Sequence, residues 1–500
     1  MKRILKILTS RLVQTGVSIF LQILIIVAIN IIANELFVYY YLFSFILGVI
    51  LSISVINTDS NASYKIAWIL FLLAVPMIGT GMYIVLGGRL LSRRKKKKML
   101  TITNSVKDKL GEVDSVDFDD LRIKRQSDYI NRFSYSPPVK NTRGTYFSSG
   151  EEYFESLLAD LKKAEKSIHL EFFIIDSGFM WNEIKSVLIE KARQGIDIKI
   201  IYDDLGCIDK LRVKEIRDLI KKGIKIKPFN LFVPALDVVI NNRDHRKICV
   251  IDSNVAYTGG INIADEYINK KTRFGKWKDS GVALYGEGAY SFEVFFASMW
   301  EHTSHTQQHL DKTSFPSLDE GIFQPYTDSP IDNEQLSENI YVNIISNAKN
   351  YVYISTPYFV VDEVVLKTIT SAAKRGVDVR IVLPGIPDKF MVNQVTKSYY
   401  KTLIEAGVKV YEYKSGFNHS KLVVCDGELA TIGSVNFDYR SFYLSFECGV
   451  WMYKTSMIED ILFDINLMIK ESKQVTIEDC KVSLLTRILR GVLTAIAPLF

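Results

Sequence analysis

The chain has 500 residues, of which 48% are hydrophobic, and its formal net charge is +6. This length exceeds one ordinary domain and indicates two or three units with separate cores. Residues 93–98 carry six positive charges, so the rest of the chain is balanced, which argues against a broadly basic nucleic-acid-binding protein. The five cysteines show no Cys-x-x-Cys spacing, so neither a disulfide framework nor a zinc site is expected.

The N-terminal region contains three windows without a charged residue, at 12–34, 36–58 and 66–88. Each window is 23 residues long, and a helix of about 20 apolar residues crosses a bilayer. A cleaved signal peptide has a single, shorter apolar region. We therefore predict two or three transmembrane helices within residues 1–92.

Basic residues flank these windows on both sides. One group at positions 2–11 precedes the first window, and the denser block at 93–98 follows the third. The positive-inside rule places both groups in the cytoplasm only if the number of crossings is even. We expect the denser block, and the large domain after it, on the cytoplasmic side of a multi-pass protein. The block acts either as a contact with anionic headgroups or as a topology signal only.

After a polar connector, the sequence repeats itself. A helix-like segment followed by an apolar run occurs at 153–175 and returns at 339–361. Alternating β-branched runs that begin with Gly occur at 195–202 and 376–383. Repeated helix–strand units of this kind predict an α/β fold with mixed sheets flanked by helices. Two copies of one unit are expected to pack about a pseudo-twofold axis.

Each repeat also carries the same polar motif, a His, a Lys two residues later, an Asp five residues after the Lys, and a downstream Asn. The first copy has His245, Lys247, Asp252 and Asn262, and the second has His419, Lys421, Asp426 and Asn436. All four positions share one offset of 174. Side chains two apart on a strand point to the same face, so each His is expected beside its Lys. The pseudo-twofold axis would bring the two pairs together across one cleft.

Two imidazole–ammonium pairs suit the chemistry of a phosphodiester. The lysines neutralise the anionic oxygens, one neutral His attacks phosphorus, and the other His, protonated, donates to the leaving alkoxide. A free His titrates near pH 6.5, so modest shifts hold one neutral and one charged. The two Asn residues follow small residues, where an amide donor approaches the phosphate. No metal ion or other cofactor is required. A single motif is also consistent with packing at a strand border, but two copies in register favour catalysis.

The doubled HxKx4D motif, with GGxN at 259–262 and GSxNFDxRS at 433–441, resembles the phospholipase D superfamily. Within it, the chain is similar to bacterial cardiolipin synthases from about residue 60 onward. The resemblance implies two pseudo-symmetric phospholipase D-like lobes after N-terminal transmembrane helices, and no metal. It also implies a phosphatidyltransferase (EC 2.7.8.-) of the bacterial cell membrane. The reaction joins two molecules of phosphatidylglycerol, an anionic phospholipid, through a phosphohistidine and releases glycerol.

The same resemblance implies roles for individual residues. An acid downstream of each His hydrogen-bonds the imidazole and fixes its tautomer, and the matching positions are Asp279 and Glu447. His245 is expected to attack phosphorus and His419 to protonate the leaving group. The Asp that ends each HxKx4D motif is expected to order the motif and its turn.

Other functions fit parts of the pattern. Water and an alcohol compete for the same intermediate, so a hydrolytic or headgroup-exchanging phospholipase D is the first alternative. A membrane-tethered nuclease shares the motifs, but the balanced charge of residues 99–500 disfavours it and no nucleic-acid partner is expected. A non-catalytic scaffold fits least, because both motifs are intact. The sequence does not specify an oligomeric state.

These expectations divide the chain into five segments. Residues 1–92 are transmembrane, 93–145 are the basic block and connector, 146–325 form the first lobe, and 326–478 form the second. Residues 479–500 are predicted to form an amphipathic helix because apolar residues recur along one stripe. That helix either rests on the membrane interface or packs against the domain.

Overall fold

The computed structural model describes residues 37–84, 116–231, 242–308, 319–332 and 334–499, together with positions 24, 100, 106, 109, 110, 310 and 315. The first predicted transmembrane window, except position 24, and the basic block at 93–98 lie outside the described residues.

The described N-terminal region is a cluster of helices: α1 at Phe37–Ile56, α2 at Ala62–Ala74 and α3 at Pro76–Met82. Of the helices that the structure describes, α1 alone is long and apolar enough to cross a membrane. The third predicted window is not one helix, because it breaks before Pro76, whose ring and missing N–H do not fit a helix interior. Among the described residues the N-terminal region therefore has one candidate span, and the predicted two or three crossings are not confirmed.

The rest of the protein is built around one mixed β-sheet. The first-repeat strands are β1 Val139–Phe147, β2 Ser167–Phe172, β3 Asp197–Asp203, β4 Lys225–Phe229, β5 Arg243–Asp244, β6 Lys247–Ile251, β7 Val255–Gly259, β8 Lys276–Lys278 and β9 Gly281–Gly286. The second-repeat strands are β10 Asp319–Asp328, β11 Tyr351–Ser355, β12 Phe359–Val360, β13 Asp378–Pro384, β14 Lys409–Tyr413, β15 Gly416–Asn418, β16 Leu422–Cys425, β17 Leu429–Gly433, β18 Phe437–Asp438, β19 Ser445–Tyr453 and β20 Ser472–Gln474. Strands β8 and β15, and strands β12 and β18, form two separate two-stranded sheets.

The order of strands in the sheet is nearly the same in the two repeats. From one edge to the centre it runs β4-β3-β2-β6-β7-β9-β1, and from the other edge it runs β20-β14-β13-β11-β16-β17-β19-β10. Strands β2, β3 and β4 are parallel, as are β11, β13 and β14, and the other pairs along this path are antiparallel. Strands β1 and β10 join the two series, with Val139 opposite Phe323. The predicted mixed α/β fold is confirmed.

Helices cover both faces of the sheet. They are α4 Leu121–Ser134, α5 Gly150–Lys163, α6 Phe179–Arg193, α7 Val213–Lys221, α8 Glu287–Ser304, α9 Leu336–Asn347, α10 Glu363–Lys374, α11 Phe390–Glu405, α12 Tyr439–Tyr443, α13 Met457–Lys470 and α14 Leu484–Ile496. Helix α5 shows why such segments are helical: Ser149 caps its first turn, two glutamates follow, and lysines occupy its last turn.

The hydrophobic core has two outer parts and a shared central part. One outer part lies mainly in the first repeat but includes Phe417 of the second, and the other lies mainly in the second repeat but includes Ile130 of α4. The central part combines residues of both repeats, such as Val250 and Leu284 with Val424 and Val450, and includes side chains of α8 and α13. The two repeats are thus joined by a continuous sheet and by common apolar packing.

Helix α14 fits the predicted amphipathic segment. It packs against α11, where Nε of Arg490 donates to Oε1 of Gln394 at 3.1 Å, and it contacts α2. The exposed apolar side chains on its other side are Leu484, Leu485, Ile488, Leu489 and Val492.

Candidate active site

The two HxK sequences lie at the start of central strands of the sheet. His245 stands between β5 and β6, and Lys247 begins β6 with no exposed surface. His419 follows β15, and Lys421, 1% exposed, precedes β16. In each repeat Nζ of the Lys donates to the backbone carbonyl of the His two residues before it. As the sequence predicted, each His and its Lys lie on the same side of the chain.

Short parallel strand pairs connect each His to the other repeat. Strand β5 pairs with β19, and the backbone N–H of His245 donates to the carbonyl of Phe446 at 2.9 Å. Glu447 follows directly, and its two carboxylate oxygens lie 2.9 and 3.0 Å from Nδ1 of His245. The pairing of β5 with β19 thus places His245 beside Glu447, an acid of the second repeat.

The second histidine is held in the same way. Strand β15 pairs with β8, and the backbone N–H of His419 donates to the carbonyl of Lys278 at 2.7 Å. Oδ2 of Asp279 lies 2.7 Å from Nδ1 of His419. From the sequence, each acid was expected to bond the histidine of its own repeat. In the structure, each acid bonds the histidine of the other repeat. The exchange follows from strand pairing between repeats, which the chain order does not reveal.

The two acids have different neighbours. The Oγ of Ser434 donates to Glu447, whereas the corresponding first-repeat position is Gly260. A Cβ at Gly260 would lie 2.1 Å from Oδ1 of Asp279. The shorter acid therefore approaches its histidine through space that only a glycine leaves, and the longer acid is held by a serine hydroxyl.

Burial and neighbouring charge set the protonation of the cleft. Burial, followed by Lys247 and Lys421, lowers the pKa of His245 well below its usual value. The same effects, burial first, lower the pKa of His419 to about 4. Both imidazoles are consequently neutral near pH 7, whereas the sequence predicted one neutral and one charged. The reason is first the burial of each imidazole and then the charge of two nearby lysines.

The lysines and one acid are shifted as well. Burial lowers the pKa of Lys247 to about 8 and that of Lys421 to about 7. Burial raises the pKa of Glu447 to about 7, against the opposing effect of both lysines. These groups change charge close to neutral pH, and such clusters of perturbed groups are typical of reactive sites. The mutual effects also show that the two motifs share one electrostatic environment.

The last Asp of each motif lies at the far end of its strand. The carboxylate of Asp252 accepts the backbone N–H groups of residues 165, 166 and 167 at 2.7–2.8 Å. Asp426 accepts those of residues 349, 350 and 351 at 2.7–2.8 Å. Both have positive φ, +54° and +53°, in the turn after the strand. Their contacts fit the expected role of ordering the motif and its turn.

The two downstream asparagines are not equivalent. Oδ1 of Asn262 accepts the backbone N–H of Ile174 at 3.0 Å, and Nδ2 donates to the hydroxyl of Tyr267 at 2.7 Å. Asn262 is thus engaged with the protein on both sides of its amide. Oδ1 of Asn436 is buried and has no hydrogen-bond partner among the described residues. The atom of Asn436 without a partner is therefore a carbonyl oxygen, which accepts hydrogen bonds.

Aromatic rings line the cleft around the imidazoles, which the sequence analysis did not anticipate. The Phe173 ring centroid lies 5.2 Å from that of His245. Three further rings lie 5.3–5.7 Å from His419, those of Tyr267, Trp277 and Phe417. These walls restrict water around the imidazoles and lower the local dielectric, which strengthens the electrostatic effects described above.

A buried cluster of charged side chains beside the first motif was also not predicted from the sequence. Arg246 lies 2.5 Å from Glu171 and 3.2 Å from Asp244, and all three are at most 2% exposed. The positions that correspond in the second repeat are the neutral Ser420, Ser355 and Asn418, of which Nδ2 of Asn418 donates to Oγ of Ser355 at 2.9 Å. The difference in charge between the two repeats is visible when their sequences are aligned, but the burial of the three charged side chains depends on the fold. Among the described residues, no group of three His, Cys, Asp or Glu is arranged to hold a metal ion.

Comparison with known proteins gives one consistent family. The protein-family model described as "Cardiolipin synthase, PLD-like domain" matches residues 157–300 and 341–467, together more than half of the chain. A second model, "Phospholipase_D-nuclease N-terminal", matches residues 46–88. The resemblance stated from the motifs is confirmed.

Individual relatives agree with this family. A Geobacillus kaustophilus protein named cardiolipin synthase is 35% identical over 81% of this chain and 82% of its own length. A Streptococcus mutans protein described as uncharacterised is 38% identical over 89% of this chain and 98% of its own length. The crystal structure of a phosphatidylserine synthase from Haemophilus influenzae matches with a TM-score of 0.57 at 13% identity. It covers 75% of this chain and 99% of that one, and at this identity it supports the fold alone.

Proposed function

We propose that this chain, which belongs to the cardiolipin synthase family of the phospholipase D superfamily and is a phosphatidyltransferase, forms cardiolipin from two phosphatidylglycerol molecules through a phosphohistidine intermediate. The observation that carries the proposal is the exchange of acids: Glu447 bonds Nδ1 of His245, and Asp279 bonds Nδ1 of His419. With Nδ1 engaged in both rings, each His has Nε2 available for a ligand.

The first step transfers the phosphatidyl group to the protein. Nε2 of His245 attacks phosphorus, the bond from phosphorus to the headgroup glycerol oxygen breaks, and His419 gives that oxygen a proton. Lys247 and Lys421 neutralise the non-bridging oxygens, and the Nδ2 amino group of Asn436 donates to one of them. Asn262 supports the cleft through Tyr267.

The second step reverses these roles. A hydroxyl of the second phosphatidylglycerol gives its proton to His419 and attacks phosphorus, and the bond between phosphorus and Nε2 of His245 breaks. Since His419 is neutral in the empty cleft, the anionic substrate provides the charge that stabilises its protonated form before the first step. No metal ion takes part, and the substrate is an anionic phospholipid rather than a nucleic acid.

The larger organisation follows from the same proposal. We assign residues 146–325 and 326–478 to two pseudo-symmetric lobes, which the two matched segments of the family model and the repeated strand order support. Residues 1–92 anchor the protein in the bacterial cell membrane, and 93–145 connect the anchor to the lobes. The basic block at 93–98 supports a cytoplasmic position for both lobes.

The C-terminal segment 479–500 is proposed to rest on the membrane interface. Helix α14 exposes 71% of Leu484 and 77% of Leu485, while its other side packs against the domain. It contacts α2 next to the candidate span α1, so its exposed stripe lies beside the membrane anchor. A leaflet covers such a stripe without the cost of exposing it to water.

One assay tests the proposed reaction. Purified protein in vesicles receives phosphatidylglycerol alone, and we expect cardiolipin and glycerol, with covalent phosphate that is lost in His245→Ala. His305→Asn, at the exposed end of α8, is the control and should retain both signals. Phosphatidic acid as the main product would replace the proposal by hydrolysis. Labelling that survives His245→Ala and disappears in His419→Ala would reverse the roles of the histidines.

A further inference from the structure

The loop before α11 and the first two residues of that helix form an exposed rim that the proposed mechanism does not use. We call Ile386, Lys389, Phe390 and Met391 the 386–391 rim. Its apolar members are 41%, 66% and 57% exposed in this order, and Lys389 is exposed as well. A cation surrounded by exposed large apolar side chains matches an amphiphile with an anionic headgroup.

The rim is fixed to the strand that delivers the second catalytic histidine. The backbone N–H of Gly385 donates to the carbonyl of Tyr413 at 3.0 Å, and that of Ile386 to the carbonyl of Gly416 at 3.3 Å. Gly416 begins β15, the strand that ends directly before His419. The position of the rim relative to the cleft is therefore set by backbone hydrogen bonds.

Side chains continue this connection into the cleft. Nζ of Lys389 lies 4.8 Å from the centroid of the Tyr358 ring. Tyr358 lies 6.4 Å from Phe417, and Phe417 lies 5.7 Å from His419, measured between ring centroids. The charge of Lys389 also contributes to the lowered pKa of His245, after burial and the two motif lysines. Lys389 is thus a further cation beside the cleft, outside both motifs.

Lys389 has a charge to offer to a ligand. Among the described residues Lys389 forms no ion pair, and its ammonium group contacts the face of the Tyr358 ring. The neighbouring carboxylate of Asp388 accepts the Tyr358 hydroxyl at 2.6 Å through Oδ2. Tyr358 thus contacts Lys389 through its ring face and Asp388 through its hydroxyl, so one oxygen of the Asp388 carboxylate is already occupied.

The proposed reaction needs a site for a second anion. The attacking hydroxyl of phosphatidylglycerol is joined to its own phosphate by one three-carbon bridge, so a second phosphate must approach the reacting one within that length. The two anions repel each other, and more strongly in a cleft of low dielectric than in water. Lys247 and Lys421 are committed to the first phosphate. A further cation beside them, next to an apolar surface, is what the second lipid requires.

We propose that the 386–391 rim binds the second phospholipid, with its phosphate on Lys389 and its acyl chains over Ile386, Phe390 and Met391. This assignment rests on the proposed function and adds the site of the acceptor lipid. It makes Lys389 a specificity-determining residue, because an acceptor without a phosphate does not need it.

The test compares two acceptors that resolve the same intermediate. Vesicles of phosphatidylglycerol in an uncharged lipid report cardiolipin synthesis, and exchange of radiolabelled glycerol into phosphatidylglycerol reports transfer to a neutral acceptor. In Lys389→Met we expect cardiolipin synthesis to fall about tenfold or more, as for loss of one charged hydrogen bond, while exchange stays within about twofold. Lys389→Arg should restore cardiolipin synthesis. Lys401→Met, on the same helix and paired with Glu405, is the matched control and should resemble the wild type.

Each result decides the proposal. An equal loss of both reactions would place Lys389 with the donor lipid or with folding, and unchanged synthesis would remove it from lipid binding; either result overturns the acceptor site. A wild-type protein that catalyses neither reaction and forms no covalent intermediate would instead overturn the proposed function, and the acceptor site with it.

Discussion

Replacing Glu447 by Gln removes the charge that accepts the Nδ1 proton of His245 while keeping the shape of the side chain. In the wild type, the carboxylate at 2.9 Å keeps the proton on Nδ1 and leaves the lone pair on Nε2. An amide also has a donor group, which bonds Nδ1 equally well and moves the ring proton to Nε2. The variant therefore loses the tautomer that attacks phosphorus.

The structure sets the size of this effect. Glu447 is fully buried, so water does not replace the lost interaction. A hydrogen bond to a charged group contributes about 1.5–3 kcal/mol, which corresponds to about a 10- to 150-fold slower covalent step. Because burial raises the pKa of Glu447 to about 7, the acid is protonated below that pH. The rate of the covalent step in the wild type should accordingly rise with pH up to about 7, and Glu447→Gln should lose this rise.

Two measurements test the reasoning. Rapid-quench labelling gives the rate of phosphohistidine formation, and ¹⁵N spectra of histidine-labelled protein report the tautomers of its six histidines. Glu447→Gln should change the signal of His245 alone, and Asp279→Asn that of His419 alone. If Glu447→Gln changed His419 and left His245 unaffected, the acids would act within their own repeats and the exchange would be refuted.

Three further predictions concern other parts of the site. Asp426→Ala leaves three backbone N–H groups without their acceptor and should lower the free energy of unfolding by about 2–4 kcal/mol in urea titrations. Asp426→Asn keeps an acceptor oxygen and tolerates the positive φ, so its free energy of unfolding should fall by less. Since the pKa of Lys421 is lowered to about 7, its charge is lost as the pH rises, so kcat/KM should fall above that pH in the wild type, and a profile flat to pH 9 would contradict the role of this lysine. Gly260→Ala places a Cβ 2.1 Å from Oδ1 of Asp279, so the ¹⁵N signal of His419 should shift and cardiolipin synthesis should fall. The same substitution at Gly491, where a Cβ meets open space, should have no effect. An unchanged His419 signal would show that Asp279 can move without altering its histidine.

Much of the local structure could be predicted because it depends on spacing along one strand. A His and a Lys two apart share a face, and the Asp of each motif ends its strand in a turn. The proline at 76 is a signal in the sequence that the third apolar window is interrupted, but that window was predicted from its length and lack of charge alone.

What could not be predicted depends on contacts between distant parts of the chain. The choice of Glu447 for His245 is made by the pairing of β5 with β19, across about 200 residues of sequence. The lowered pKa of both imidazoles arises first from their burial and then from two lysines of the two repeats, and both causes depend on the fold. The ionic group of Arg246 and Glu171 likewise joins side chains that are 75 positions apart.

The strand pair β1–β10 has a consequence for how lipids reach the phosphate. Because the sheet and the central core of the described residues run through both repeats, we expect the two halves to move as one unit rather than to separate about a hinge. We therefore expect a diacyl lipid to enter sideways, by sliding out of the leaflet past the cleft wall, and the four-chain product to return along the same path. Supply of substrate is then governed by lateral diffusion in the membrane, so turnover should follow bilayer fluidity more closely than solvent viscosity.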